Sequence, residues 1–198
     1  MSETNIQPAQ RKPRADAQRN RERILQVARE AFADRGANVT LEDIVGLSGL
    51  GVGTLYRNFP TRDALIEAVY LSEVQRLAAA ERELSQSEPP LEALRQWMLR
   101  FVDYMAAKSV MKEALNAMVA GTTELYATST ELMRTAMTAL IERAVTSGDI
   151  QFDLDPLDPL RALSGVADSD PSSQERARKL VDVLIAGMRT PSSERSRE

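Results

Sequence analysis

The amino-acid sequence predicts an all-α protein, and three observations support that fold class. Apolar residues recur at spacings of three and four along most of the chain, as from Ile24 to Phe32 and from Leu94 to Met105; this spacing places them on one face of an α-helix. Glycine or proline separates one such segment from the next. No stretch of convincing length alternates apolar and polar residues, as a half-buried β-strand would.

Four helices are predicted in the N-terminal part of the chain. The first runs from Arg19 towards Gly36, where glycine ends it. Thr40 is a good N-cap for a short second helix. A third short helix is predicted over residues 51–58, before a proline, and Thr61 caps the fourth.

The C-terminal part follows the Pro89-Pro90 break, the clearest interruption in the chain. Helices are predicted there over residues 94–105, 111–118, 125–144, 160–166 and 174–188. Gly121 closes the second of these and Gly148 follows the third, while an irregular acidic stretch occupies residues 149–158.

The residue types that are absent exclude several kinds of chemistry. The 198 residues include no Cys and no His, so disulfides, thiolate catalysis, His-based triads and HExxH zinc sites are excluded. No apolar run approaches the roughly 20 residues of a membrane-spanning helix, and residues 1–16 lack the apolar segment of a signal peptide. We therefore expect a cytoplasmic protein that is not an enzyme and has no metal, cofactor or membrane partner.

The charge is divided unevenly along the chain. The net charge is −4, yet residues 1–62 carry ten Lys and Arg against seven Asp and Glu. A basic head on an acidic body indicates an anionic partner at one end. Six of the basic residues are concentrated near the N-terminus: Arg11, Lys12, Arg14, Arg19, Arg21 and Arg23.

A short helix, a glycine turn and a second short helix within about twenty residues form the outline of a helix-turn-helix. In that motif the second helix lies in the major groove of DNA while the first crosses the backbone. Gly49 lies where the chain must turn sharply, so a positive φ is expected there. The residues expected to pack the two helices together are Ile44, Leu47, Leu50 and Leu55.

The segment TLEDIVGLSGLGVGTLYRNFPTRDALIEAVY, which begins at Thr40, resembles the DNA-binding domain of the TetR family of transcriptional regulators. The positions that carry the resemblance are Thr40, Gly49, Thr54-Leu55-Tyr56, Arg57-Asn58, Phe59, Arg62 and Ala64-Leu65. Close resemblance covers about residues 19–72. Two positions depart from the family pattern, which commonly has Ser where this chain has Gly51 and His where it has Asn58.

The resemblance implies a homodimer that binds a double-stranded DNA operator. Its phosphate contacts are expected from Thr40, Thr54, Tyr56, Asn58 and Arg62. The residues expected at the helix tip and nearest the base edges are Gly51, Val52, Gly53 and Arg57. Hydroxyl, amide and guanidinium groups contact phosphate oxygens without reading sequence, whereas an arginine can also pair with guanine.

The resemblance also implies a C-terminal domain that binds a small, largely apolar effector and dimerises. Met suits adaptable pockets, and the expected pocket residues are Trp97, Phe101, Tyr104, Met105, Met118, Tyr126 and Met133. The expected dimer contacts are Leu160, Leu163, Leu180, Leu184 and Met188. Ordinary core packing remains the alternative for both sets.

The predicted organisation is a flexible basic arm at residues 1–18, a helix-turn-helix domain at 19–65, a ligand-binding and dimerisation domain at 66–189 and a disordered tail at 190–198. The leading hypothesis is a ligand-responsive repressor that releases a palindromic operator. One alternative is a DNA-binding regulator without small-molecule control. Another is an all-α small-molecule carrier or enzyme, for which no paired carboxylates provide acid–base chemistry.

Overall fold

The computed structural model of the protein describes residues 12–118, 122–167 and 170–190. Within these ranges almost all regular structure is α-helical, which confirms the predicted fold class. The helices are α1 (Lys12–Arg35), α2 (Leu41–Ser48), α3 (Val52–Asn58), α4 (Arg62–Ser87), α5 (Pro90–Asn116), α6 (Thr122–Thr146), α7 (Asp158–Ser164) and α8 (Pro171–Met188). A short 3-10 turn, Gly36–Asn38, follows α1.

The chain divides into two compact units at Val69 and Tyr70, inside α4. This division lies close to the expected boundary at residue 65, and the Pro89-Pro90 break only separates α4 from α5. Of the expected basic arm, residues 12–18 form the first turns of α1. Residues 1–11 and 191–198 of the expected arm and tail lie outside the described residues.

One element differs clearly from the sequence prediction. The two helices expected over residues 94–105 and 111–118 are the single helix α5, Pro90–Asn116. The segment between Met105 and Met111 contains neither glycine nor proline, so nothing in it stops a helix. The expected stop at Gly121 lies outside the described residues.

The N-terminal unit packs α1, α2, α3 and the start of α4 around one core. Its largest buried side chains are Ile24, Phe32, Ile44, Leu55, Phe59, Leu65 and Ile66. Leu47 was expected between α2 and α3, but it is 50% exposed while Ser48 is fully buried. The stripe that α2 buries is Leu41, Ile44 and Ser48, so Leu47 lies just outside it.

The C-terminal unit is organised around α5, which packs against α6, α7 and α8. Trp97 of α5 is fully buried, and its indole Nε1 donates a hydrogen bond to the Leu77 carbonyl of α4 at 2.9 Å. A short antiparallel contact joins the end of α8 to the segment after α6, where Gln151 N donates to Met188 O at 2.9 Å. No helix in the described ranges is long and apolar enough to cross a membrane.

Candidate DNA interface and effector cavity

The turn between α2 and α3 has the backbone geometry that the sequence predicted. Gly49 has φ 63° and ψ 17°, in the left-handed region that glycine adopts without steric cost. At the start of α2, Thr40 forms a capping box with Asp43: its hydroxyl accepts from Asp43 N at 3.2 Å, and Thr40 N donates to Asp43 Oδ2 at 2.9 Å. These local contacts fix both ends of α2 and set where α3 begins.

Helix α3 presents most of its side chains to solvent. Leu55 anchors it in the core at 0% exposure, while Val52 is 56% and Tyr56 40% exposed. Arg57 is also exposed, and its Nη2 donates to Thr54 Oγ1 at 3.4 Å. Large exposed apolar groups beside a guanidinium are suited to a groove that offers thymine methyls and base-edge acceptors.

The N-terminal tip of α3 is bare. Gly51 caps the helix in an extended conformation, φ −66°, without a side-chain hydrogen bond. A Cβ added at Gly51 or at Gly53 would meet no atom within 4 Å. Neither glycine is therefore required by packing inside the protein. The backbone N–H groups at this tip remain open to a close approach from outside.

Tyr56 is linked to α2 through Glu42. Its hydroxyl donates to Glu42 Oε1 at 3.0 Å, and this hydrogen bond is the main cause of the raised pKa of Tyr56. The pKa of Glu42 is lowered first by its own backbone N–H and then by Tyr56. To donate a hydrogen bond to a phosphate, the Tyr56 hydroxyl must therefore give up its hydrogen bond to the Glu42 carboxylate.

Several expected phosphate contacts also have internal partners. Thr40 Oγ1 donates to Asp43 Oδ2 at 2.8 Å, so its proton is used within the cap. Asn58 Nδ2 donates to the Thr54 carbonyl at 2.8 Å. Arg62 Nε donates to Val39 O at 2.9 Å. The phosphate-binding roles of these residues stay predictions, and their observed contacts stabilise the helix-turn-helix.

Arg62 also lies against the core of the N-terminal unit. Its guanidinium carbon is 5.9 Å from the centroid of the Phe32 ring, and the side chain is half-buried. The contact with the Phe32 ring and the hydrogen bond to Val39 together hold the start of α4 against the segment that precedes α2. The sequence pattern contains no signal for this role, because residues 32, 39 and 62 come together only in the folded unit.

Two arginines of the basic cluster lie beside the helix-turn-helix. The Arg21 guanidinium carbon is 4.6 Å from the centroid of the Phe59 ring, a cation–π contact at the end of α3. Arg23 Nη2 would lie 3.6 Å from a Cβ added at Gly49, so this guanidinium is beside the turn. The N-terminal half of α1 therefore places positive charge next to α3.

The C-terminal unit contains a cavity of about 450 Å³, a size typical of small-molecule sites. Five of the seven expected pocket residues line it: Phe101, Tyr104, Met105, Tyr126 and Met133. Residues that sequence reasoning missed also line it, namely Tyr70, Lys108, Ser129, Thr130, Leu157, Leu160, Arg161 and Ser164. We call this space the aromatic cavity.

Two expected pocket residues do not line the aromatic cavity. Trp97 is fully buried and hydrogen-bonded to Leu77, and it stacks on Phe101, with ring centroids 6.3 Å apart. Met118 follows the end of α5 and is not among the lining residues. Helical periodicity does not distinguish a residue behind the cavity wall from one in it.

Three tyrosines form one wall of the aromatic cavity. The Tyr104 hydroxyl donates to that of Tyr70 at 3.0 Å, and the Tyr70 and Tyr126 rings meet edge to face at 5.8 Å. Burial is the main cause of the raised pKa of Tyr104 and of Tyr126, so both stay neutral. Lys108 Nζ lies 4.7 Å from the centroid of the Tyr126 ring.

The expected dimer residues fall into two groups. Leu160 and Leu163 of α7 are 4% and 0% exposed within the single chain, where they are core residues, so their expected role in a dimer contact stays a prediction that this burial does not favour. On α8, the buried face consists of Ser173, Ala177, Val181 and Ile185. The other expected residues, Leu180, Leu184 and Met188, flank this buried face and are partly exposed. Val183, 64% exposed, lies on the solvent side of α8, one turn after Lys179.

A helix-turn-helix with a solvent-facing second helix, joined in one chain to a separate helical unit with its own cavity, defines a helix-turn-helix regulator. Comparison with known proteins agrees. The family model for bacterial regulatory proteins of the tetR family matches residues 24–69. The model for the C-terminal domain of SbtR-like transcriptional regulators matches residues 89–190. The chain belongs to the TetR family of bacterial transcriptional regulators.

Individual relatives have the same fold. The TetR transcriptional regulator SCO0520 from Streptomyces coelicolor is 42% identical with a TM-score of 0.78, over 87% of this chain and 99% of that one. A TetR regulatory protein from Mycobacterium vanbaalenii is 31% identical with a TM-score of 0.75, over 90% and 99% of the two chains. The HTH-type transcriptional regulator UidR of Escherichia coli is 35% identical over 96 residues, 48% of this chain. That match spans less than half of UidR, 43% of its length.

Proposed function

We propose that this protein is a homodimeric repressor that binds a palindromic operator through α3 and releases it when a small molecule occupies the C-terminal unit. The observation that carries the DNA-binding part is the surface of α3. Val52, Tyr56 and Arg57 point to solvent from a helix that one buried leucine anchors, and the two glycines at its tip have no internal packing role. Such a surface is suited to insertion into the major groove.

The proposal assigns dimerisation to α8. A helix of seven residues reads too few base pairs for useful specificity, so two copies on a two-fold axis are needed to read a palindrome. A self-complementary face for this purpose is provided by the partly exposed apolar residues of α8, Leu180, Leu184 and Met188. Leu184→Glu places a charge in that face and is expected to yield monomers in analytical ultracentrifugation, while Lys179→Glu on the polar side of α8 stays dimeric. A dimeric Leu184→Glu protein excludes α8 from the interface.

The proposal assigns effector control to the aromatic cavity and α4. Tyr70 lines the cavity from α4, and the same helix begins at Arg62, which holds the Val39 carbonyl in the N-terminal unit. A ligand that prefers one position of Tyr70 favours one position of α4. The operator is released if, with α4 in that position, the two N-terminal units of the dimer can no longer both bind DNA.

The experiment is a gel-shift titration of the full chain on duplex DNA from its own promoter region. The wild-type protein is expected to bind with an affinity that falls as salt rises. Arg57→Ala is expected to weaken binding by about 1–3 kcal/mol, the value of one bidentate base contact. Lys179→Ala, which removes an equal charge from α8, is the matched control and is expected to bind as wild type.

The outcomes separate the alternatives. Absence of salt-dependent duplex binding by the wild-type protein would overturn the proposal. If compounds stabilise the C-terminal unit but none of them releases the DNA, the result supports a regulator without small-molecule control. A screen of compounds by thermal shift, followed by the same gel shift, makes this distinction.

A further inference from the structure

A second cavity, of about 790 Å³, adjoins the aromatic cavity and has a different character. The two share four lining residues: Met105, Lys108, Tyr126 and Ser164. The remaining walls of the second cavity carry polar and basic groups, among them Ser109, Lys112, Asn116, Ser173 and Arg176. We call this space the basic cavity. The two cavities therefore adjoin at these shared residues, one with mainly aromatic walls and the other with basic groups in its walls.

We propose that the effector of this protein is an organic anion: an aromatic or apolar body that occupies the aromatic cavity, with a carboxylate or similar anionic group held by Lys108 and Lys112. This inference rests on the proposed ligand control and specifies the chemistry of the ligand. It replaces the largely apolar effector that methionine content alone suggested.

Lys108 lies where the two cavities meet. It is half-buried, and its ammonium lies 4.7 Å from the Tyr126 ring centroid and 5.7 Å from that of Tyr70. Contact with the faces of these two rings partly compensates the Lys108 ammonium for the hydration that it loses on burial. They accept no hydrogen bond of carboxylate strength, so the three N–H donors of Lys108 can bind an anion in the cavity.

Lys112 lies one helical turn beyond Lys108 on α5, so the two ammonium groups share a face. Two like charges at this spacing repel each other, and a bound anion removes that repulsion. Among the residues that the structure describes, none that lines either cavity is an Asp or Glu. A pair of cations whose described wall residues include no acidic group favours a negative ligand.

The other two cations at the site already have partners. Arg161 forms ion pairs with Asp155 and Asp158. Arg176 donates to the hydroxyls of Ser172 and Ser173 at 3.1 and 3.0 Å. The inference therefore depends on the two lysines, and Arg176 serves as a hydrogen-bonding wall of the basic cavity.

The test compares two probes that share an aromatic body and differ in charge, 4-phenylbutyrate and its primary amide. Binding to the full-chain protein is measured by isothermal titration calorimetry. The carboxylate is expected to bind about tenfold or more tightly than the amide, the value of one hydrogen bond between charged groups. This preference is expected to disappear in Lys108→Met and to shrink in Lys112→Gln, an exposed position that does not endanger folding.

Lys179→Gln is the matched control, because it removes a lysine that is paired with Glu175 on α8 and lines neither cavity. It is expected to retain the full preference for the carboxylate. Equal binding of the two probes, a preference that survives both cavity variants, or no binding of either probe at millimolar concentration overturns the inference.

Gel shifts with the same probes separate this inference from the proposed function. If the amide binds and releases the operator as well as the carboxylate does, effector control stands and the anionic site is wrong. If the carboxylate binds through the lysines but leaves the operator complex intact at saturation, the anionic site is supported. The same result contradicts control of DNA binding through that site.

Discussion

Replacing Gly53 with alanine separates what α3 contributes to stability from what it contributes to DNA binding. Gly53 is the second residue of α3, in its first turn, and a Cβ at this position meets no atom within 4 Å. Alanine favours a helix over glycine by about 0.5–1 kcal/mol. For a chain of this length each kcal/mol raises Tm by about 2–4 °C. The variant is therefore expected to melt about 1–4 °C higher than wild type.

The same methyl group is expected to weaken DNA binding. It projects from the bare tip of α3, where the duplex approaches the backbone in the proposed complex. The loss of one hydrogen bond from a backbone N–H to phosphate costs about 1.5–3 kcal/mol. This corresponds to a Kd increased by about 10- to 150-fold. A fluorescence-anisotropy titration at fixed salt measures the change.

Gly46→Ala provides the matched control. Gly46 lies within α2, is exposed, and a Cβ there also meets no atom within 4 Å. This variant is expected to gain similar stability and to bind DNA as wild type. If Gly53→Ala gains stability and binds DNA with unchanged affinity, the tip of α3 does not approach the duplex closely and the reasoning is refuted.

Three further predictions concern side chains that hold the N-terminal unit together. Glu42→Ala removes a carboxylate beside α3 and frees the Tyr56 hydroxyl. In gel shifts the variant is expected to bind DNA more tightly than wild type at low salt, and this difference shrinks as salt rises. Weaker DNA binding by the variant would mean that Glu42 positions Tyr56 for DNA. Arg62→Met loses the hydrogen bond to Val39 and is expected to lower the free energy of unfolding by about 1–3 kcal/mol in urea titrations. A salt-dependence slope reduced by about one would confirm the predicted phosphate contact of Arg62, whereas an unchanged slope would show that Arg62 acts only through Val39. The hydrogen bonds from the Thr40 backbone and hydroxyl lower the pKa of Asp43 below its ordinary value of 3.8, so the stability they provide is present above that pH and lost as pH falls through the lowered pKa. Acid titrations of wild type and Asp43→Asn, followed by circular dichroism, are expected to show a smaller loss of stability in the variant.

The exposed surface of α3 offers few direct base-reading groups. Arg57 is its one long basic side chain, and Val52 supplies an apolar contact. The N-terminal half of α1 adds Arg21 and Arg23 beside the motif. We therefore expect operator preference to depend on DNA shape as well as on Arg57, with the arginines of α1 contributing sequence-independent affinity.

Local sequence determined the helix-turn-helix. The cap at Thr40, the left-handed Gly49 and the cap of α4, where Thr61 Oγ1 accepts from Ala64 N at 3.1 Å, were all predicted from residues within a few positions of one another. Hydrogen bonds of this kind close within a single turn, so they depend little on the rest of the fold. The family resemblance rests on the same short segment.

Burial along the helices was predicted only in part. Leu47 and Ser48 are adjacent on α2, and apolarity favoured Leu47 for the core, yet Ser48 is the buried one. Its hydroxyl donates to the Val45 carbonyl at 3.2 Å and accepts from Leu50 N at 3.3 Å, which satisfies the polar group. The exact rotation of a helix against its neighbours is set by the packing of the whole unit.

Sequence alone thus determined the fold class, the position of the motif and the turn that aims α3. Tertiary structure decided which side chains of those helices face a cavity, a core or solvent. Lys108 is an unremarkable residue of a long helix until Tyr70 and Tyr126, from two other helices, place their rings beside it. Contacts between residues far apart in the chain form only when the core closes. For this reason the chemistry of the effector site could be inferred only after folding had brought these groups together.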